Sequence, residues 1–259
     1  MKTRFVNWIL LTLWALAACK PAAPIEPATP TATLAPPATA TATPVWFPPT
    51  ATLTPAAPVE ILPTPPPLPV LGDLYLNEDF STAEFWPMLR TARGNIAVGG
   101  NRFTLATLQP KTYLASIRNQ PLLTDFYLQV NLRVNLCSSG DEYGLLLRAL
   151  TESEFYRLSL SCDAQIRLDK INGAQAASPQ PPMLSGAYPA GAPVNLQIGV
   201  WVQGKDIRVY INEQYQFSVS DSAAIPAGMV GVFVRSGEAE TLSVSFSEMQ
   251  IYTLEGATP

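Results

Sequence analysis

The sequence predicts an all-β domain over residues 70–254, a two-sheet antiparallel jelly-roll sandwich. Three observations carry this expectation. After residue 70 the chain is dominated by short runs in which apolar and polar residues alternate, the period that gives a strand one apolar face. Gly, Pro, Asn, Asp or Ser cluster between most of the runs, as strand connections require. No apolar pattern at the helical period follows the first 18 residues. Many half-covered antiparallel strands over about 185 residues bury their apolar faces by stacking two sheets. A single immunoglobulin-like domain needs only about 100 residues, so a larger jelly roll fits better.

The segments before the domain have different chemistry. Met1-Lys2-Thr3-Arg4 is a short basic start, and Phe5 to Ala18 is apolar and closes on small residues. That stretch has signal-peptide length and is too short to span a bilayer comfortably. Leu16-Ala17-Ala18-Cys19 resembles the lipobox of bacterial lipoproteins. The resemblance implies that residues 1–18 are a signal peptide and that Cys19 is lipidated. The protein is then exported, anchored to the membrane through lipid and extracytoplasmic. Residues 19–69 are mostly Pro, Ala and Thr. Proline removes amide donors and fixes φ, so neither helix nor sheet propagates there. Such a tract favours extended polyproline II. At roughly 3.1 Å per residue it would reach at most ~150 Å as a stalk. Thr- and Pro-rich composition also suits O-glycosylation.

Within the domain, strands are expected at 102–106, 113–117, 126–135, 143–149, 155–161, 165–171, 194–202, 207–211, 214–219, 229–234 and 242–252. In 126–134 every even residue is apolar, from Phe126 to Val134. In 207–211 the odd residues are, and Asn212-Glu213 then turns the chain into 214–219, a hairpin with a polar outer face. Residues 255–259 are a tail.

Composition narrows the chemistry. The chain holds 16 Lys+Arg against 20 Asp+Glu; without Lys2 and Arg4 the balance is 14 against 20. No basic cluster stands out, which argues against nucleic acid as a partner. Histidine is absent, so Ser-His-Asp and Cys-His catalysis, His-ligated zinc and a histidine general base are excluded.

There are three cysteines. With Cys19 carrying lipid, Cys137 and Cys162 form an even remainder in an oxidising setting and are read as a disulfide. Two buried free thiols are the alternative. In a meander of 126–136, 143–149 and 155–161, the ends of the first and third strands share a sheet edge, which makes the pairing geometrically reasonable. It would close a loop of about 25 residues and contribute on the order of 3 kcal/mol.

Several stretches resemble the concanavalin A-like lectin/glucanase superfamily, including its 3-keto-disaccharide hydrolase-type and laminin-G-like domains. They are Asn77-Glu78-Asp79-Phe80-Ser81 followed by Trp86, Gly100-Asn101-Arg102-Phe103-Thr104-Leu105, Asp125 to Val130, and Tyr143-Gly144-Leu145-Leu146-Leu147-Arg148. Toward the C-terminus come Val194-Asn195-Leu196, Gly204 to Asn212, Ala227-Gly228-Met229-Val230-Gly231-Val232 and Val244-Ser245-Phe246. They follow the family's order over roughly 73–252 and imply its fold. They do not fix an activity, because that fold hosts lectins, hydrolases and adhesion modules.

Glucanases of the superfamily carry a Glu-x-Asp-x-x-Glu type run on one strand, and none is present here. Asp141-Glu142, Glu152-x-Glu154 and Glu238-x-Glu240 are the nearest clusters. All fall at expected turns or strand edges, where solvated charge is the ordinary reading. Catalytic residues are therefore not assigned. Carbohydrate binding uses aromatic platforms and planar donors. Tyr127 and Trp201 lie on the polar sides of their strands, Arg148 shares a strand face with Gly144 and Leu146, and together with Arg157 they are the expected binding patch on a concave sheet, with Arg235 ending a further strand. No cofactor is expected, although a structural calcium held by backbone and Asp oxygens stays open, with Asp79, Asp125 and Asp163 available. The reading is a surface lipoprotein presenting a jelly-roll domain to a glycan or wall polymer. The alternatives are a glycoside hydrolase on the same fold and an envelope protein-interaction module.

Overall fold

A computed structural model of the chain describes residues 66–239 and 241–255. The signal segment, Cys19 and the stalk as far as residue 65 lie outside the described residues. All regular structure described is β, and no helix among these residues is long and apolar enough to cross a membrane.

Fifteen strands form the domain. They are β1 (Leu71–Glu78), β2 (Leu89–Arg90), β3 (Gly94–Val98), β4 (Phe103–Thr107), β5 (Tyr113–Ile117), β6 (Phe126–Leu136), β7 (Glu142–Thr151) and β8 (Glu154–Ser161). Then follow β9 (Gln165–Asn172), β10 (Gln175–Leu184), β11 (Val194–Gln203), β12 (Asp206–Ile211), β13 (Gln214–Ser220), β14 (Met229–Arg235) and β15 (Ser243–Leu254). One sheet has nine strands in the order β13-β12-β11-β6-β15-β4-β3-β2, with β1 also paired to β15. The other has six, in the order β10-β9-β8-β7-β14-β5. Every strand pairing is antiparallel.

The eleven expected strands are all present; β1, β2, β3 and β10 are additional. β10 contains Ser178-Pro179-Gln180-Pro181-Pro182 and reads as a loop. It survives as a strand because it is the sheet's outermost, where missing amide donors cost no partner. Its register slips twice against β9. β1 is likewise irregular, with two register shifts against β15.

The core follows from the alternation. Leu128, Val130, Leu132 and Val134 of β6 and Leu196, Ile198, Val200 and Val202 of β11 point inward. Tyr143, Leu145 and Leu147 of β7, Tyr156, Leu158 and Leu160 of β8, and Val230, Val232 and Val234 of β14 belong to the same core. Each such side chain contributes about 1.5–3 kcal/mol when fully covered. Phe80, Trp86 and Phe103 pack as an aromatic triplet, with ring centroids 5.5 Å, 5.6 Å and 4.9 Å apart. Buried Glu78 holds this corner: it accepts hydrogen bonds from Trp86 Nε1 and Arg118 Nε. Glu78, Phe80 and Trp86, prominent in the sequence, thus form a structural plug.

Cys137 and Cys162 are joined as a disulfide, with Cα atoms 6.1 Å apart. The Asn212-Glu213 turn joins β12 to β13, both residues having positive φ (50° and 64°), as a tight hairpin of matching twist requires.

Candidate functional site

The four side chains expected to form one patch do not share a surface. Tyr127 and Trp201 are cross-strand partners on β6 and β11, on the outer face of the nine-stranded sheet. Arg157 lies on the outer face of the six-stranded sheet, opposite Asp169 of β9. Arg148 is buried, 1% exposed. Alternation would set it beside Gly144 and Leu146. Instead its φ is +46°, and a register irregularity separates Leu147 from Thr151 against β8. The bulge turns its guanidinium to the carbonyl oxygens of Thr124, Gly204 and Ile225 and to Asp125. Burial lowers its pKa, offset in part by the charge of Asp125 and by Tyr156.

The outer face of the six-stranded sheet carries the densest chemistry, laid out by strand register. One row across it reads Tyr113, Arg235, Glu142, Ser161. The next reads Ala115, Phe233, Gly144, Ser159, Arg167, and the third Ile117, Gly231, Leu146, Arg157, Asp169. Five charged side chains brace one another. Glu142 accepts hydrogen bonds from Arg167 at 3.0 Å and pairs with Arg235 at 2.7 Å. Asp169 accepts from Arg157 at 2.9 Å and from Ser178 of β10 at 2.6 Å. Arg167 Nε lies 3.3 Å from Asp169 without the alignment of a hydrogen bond. Arg157 Nε and Ser159 Oγ also lack a hydrogen-bond partner.

This corrects the expectation for Asp141-Glu142. Neither is a solvated turn charge: Asp141 is fully buried, accepting from the amides of Ser138 and Gly237, and the Glu142 side chain is 14% exposed. The reason is position, since β7 lies inside the sheet between β8 and β14, where arginines on neighbouring strands reach Glu142.

Beside the charges is an aromatic surface. Tyr113, 43% exposed, stacks on Phe233 with centroids 5.8 Å apart, and Arg157 lies over the same Phe233 ring at 5.9 Å. Burial pushes the Tyr113 hydroxyl up to about 12, partly offset by the charges of Arg157 and Arg235. The phenol therefore stays protonated, a donor next to planar cations. Gly144 lets the sheet close here: a Cβ would lie 2.0 Å from the Leu158 carbonyl oxygen. Tyr113 and Leu146 also line a groove of about 600 Å³ with Phe155, Leu89, Asn119 and Glu152.

The other outer face differs. Asn131, Arg133, Gln197 and Glu248 line a polar depression of about 440 Å³. Asn131 donates to Glu248 at 2.7 Å and accepts from Gln197 at 3.2 Å. Asp79, Asp125 and Asp163 are apart, each accepting from backbone amides of Ser81, Gly204 and Gly140. Among the described residues no three His, Cys, Asp or Glu side chains gather to hold a metal.

The two antiparallel sheets stack as a jelly-roll sandwich. Solved structures share it. The carbohydrate-binding module CBM66 from Bacillus subtilis superposes with a TM-score of 0.54 at 11% identity, over 65% of this chain and 96% of that one. An endo-1,3-β-glucanase catalytic domain from Thermotoga petrophila gives 0.53 at 6% identity, covering 72% and 100%. A β-glucanase from Bacillus licheniformis gives 0.53 at 11%, covering 69% and 97%. No family model and no curated protein matches the chain.

Proposed function

We propose that this protein is a membrane-anchored surface lipoprotein whose jelly-roll domain binds carbohydrate without cleaving it, through the outer face of the six-stranded sheet. One observation carries the reading: an exposed tyrosine stacked on a phenylalanine stands in register with a braced set of arginines and carboxylates, and opens into a groove. Sugar rings present apolar faces and hydroxyl edges, which aromatic platforms and planar, pre-oriented donors match. The fold is one that carbohydrate-binding modules and glucanases share. Binding is favoured over hydrolysis because Glu142 and Asp169 are each engaged by arginine. A glycosidase needs two carboxyl groups free to flank the scissile bond, and these two are tied into ion pairs with neighbouring strands.

The test is a glycan and wall-polymer array with Tyr113→Ala and Arg235→Ala. Loss of binding in both, with an unchanged melting temperature, supports the site; unchanged binding refutes it. Release of reducing sugar from the bound polymer would instead favour the hydrolase reading. Anchoring is tested by Cys19→Ser, which should move the protein from the membrane fraction to the soluble one with its domain folded.

A further inference from the structure

The nine-stranded sheet holds a second aromatic surface, and its occupant is written in the chain. Strand register aligns Tyr252, Tyr127, Trp201 and Arg208 in one row across β15, β6, β11 and β12. The adjacent row holds Gly199, Tyr210 and Tyr215. The Tyr127 ring lies over Gly199, where a Cβ would meet its hydroxyl at 2.4 Å. Arg208 stacks on Trp201 at 4.2 Å, and Tyr210 meets Tyr215 edge-on at 5.9 Å. These side chains point away from the core, yet Tyr127, Trp201 and Tyr210 are 4%, 9% and 1% exposed.

The segment entering the domain crosses this row. Leu71 pairs with Leu254 of β15, and the Tyr210 hydroxyl on β12 donates to the Pro67 carbonyl at 3.4 Å. From β1, where Leu71 sits, to β12 is four strand spacings, about 19 Å. From Leu71 back to Pro67 is four residues, about 12 Å at the polyproline II rise, and the long Tyr210 side chain reaches back to meet it. The segment is therefore close to fully extended across the strands. Pro66 and Pro69 are half-buried, whereas Pro67, Leu68 and Val70 are exposed. That period of three is the polyproline II period, and the sequence continues it: Pro63, Pro66 and Pro69 are spaced three apart.

We infer that residues 63–69 of this chain dock as a polyproline II strand on the Tyr252–Tyr127–Trp201–Tyr210–Tyr215 surface, so that the domain captures the end of its own stalk. The half-buried Pro66 and Pro69 form the edge that meets the rings, as in other aromatic-lined grooves that take proline-rich segments, and Pro63 continues their spacing in the sequence. The covalent link makes the encounter intramolecular, so weak contacts suffice. The inference stands independently of the glycan reading.

The test uses the chain from residue 19 onward carrying Trp46→Phe, which leaves Trp86 and Trp201 as its tryptophans. Replacing residues 63–69 with an equal length of Gly and Ser should raise iodide quenching several-fold and shift part of the emission to the red, as Trp201 opens. A synthetic peptide of residues 62–70 should reverse both changes. Trp86, 3% exposed between Phe80 and Phe103, keeps its blue emission and reports the intact fold. Pro66→Ser with Pro69→Ser is the milder variant and should give a partial rise. Quenching unchanged by the replacement, or not reversed by saturating peptide, overturns the inference.

Discussion

Replacing Arg148 with methionine keeps most of the side-chain volume and removes the guanidinium, and the structure sets the expected loss. Nη1 serves the carbonyls of Gly204 and Ile225 at 2.7 Å and 2.9 Å, and Nε serves Thr124 at 3.0 Å. These acceptors belong to the loop before β6, the β11–β12 hairpin and the segment before β14, so one side chain ties three connections together. A buried acceptor left without a donor costs about 1–3 kcal/mol. Asp125 keeps its bond from the Gly204 amide at 2.8 Å, and its side chain is 26% exposed, so water replaces part of what it loses. Breaking a buried charged network of this kind costs about 3–5 kcal/mol. In a domain of this size each kcal/mol moves Tm by about 2–4 °C, which gives a fall of roughly 6–20 °C. Urea unfolding of Arg148→Met should show the lower midpoint with an unchanged slope. Arg148→Lys should recover less than half, because an ammonium cannot serve three divergent carbonyls. A loss below about 0.5 kcal/mol in either variant would refute the clamp, since that is the ordinary effect of a surface substitution.

Further outcomes follow from other contacts. Reducing the Cys137–Cys162 bridge, or replacing both cysteines with alanine, should cost about 3 kcal/mol by the chain-entropy account of a 25-residue loop; mass spectrometry of alkylated peptides checks the pairing. For Asp221, burial pushes the pKa up, but hydrogen bonds from Lys170, Tyr156 and the Ala223 amide outweigh it and leave the carboxyl below its ordinary 3.8. A depressed folded pKa stabilises above the unfolded value and is lost as pH falls through the folded one, so Asp221→Asn should flatten the stability decline below about pH 4. Burial, with Tyr210, Glu213 and Tyr252 nearby, raises Tyr127 to about 12. Its stabilising effect is complete below the unfolded value near 10 and is lost as pH rises through 12, so Tyr127→Phe should flatten the alkaline decline, followed by melting at fixed pH. Trp201→Ala should leave glycan binding intact while Tyr113→Ala abolishes it; the reverse would move the site to the other sheet.

The alternation in 126–134 was enough to fix which side of β6 meets the core, and the Asn212-Glu213 turn was enough to fix a hairpin. Both are local signals, carried by a period of two or by two adjacent residues. The site was legible only in pieces. Tyr127 and Trp201 were recognisable as outward-facing, but facing outward on parallel reasoning cannot say which of two sheets a strand joins, and Arg157 joined the other. Arg148 failed for a different reason: a bulge resets alternation, and a left-handed arginine gives no signal in composition. Glu142 looked like a turn charge because its arginines arrive from β9 and β14, 25 and 93 positions away. Proline concealed β10, since a strand at a sheet edge can lack the donors that an interior strand needs.

Strand order explains why the two outer faces can serve different ends. β1 joins the nine-stranded sheet beside β15, and residues 66–70 lead into it. The aromatic row is on that sheet, and Pro67 is already held there by Tyr210. The six-stranded sheet lies behind the core, with no entering or leaving segment among the described residues crossing its arginine–carboxylate rows. A face meant to meet a polymer must stay open while the tether is attached, and a face that receives the tether must tolerate being covered. Aromatic side chains suit both tasks, which is why composition alone could not separate them. What distinguishes them is the company they keep: the Pro67 carbonyl against Tyr210, and a braced set of planar cations against Tyr113 and Phe233.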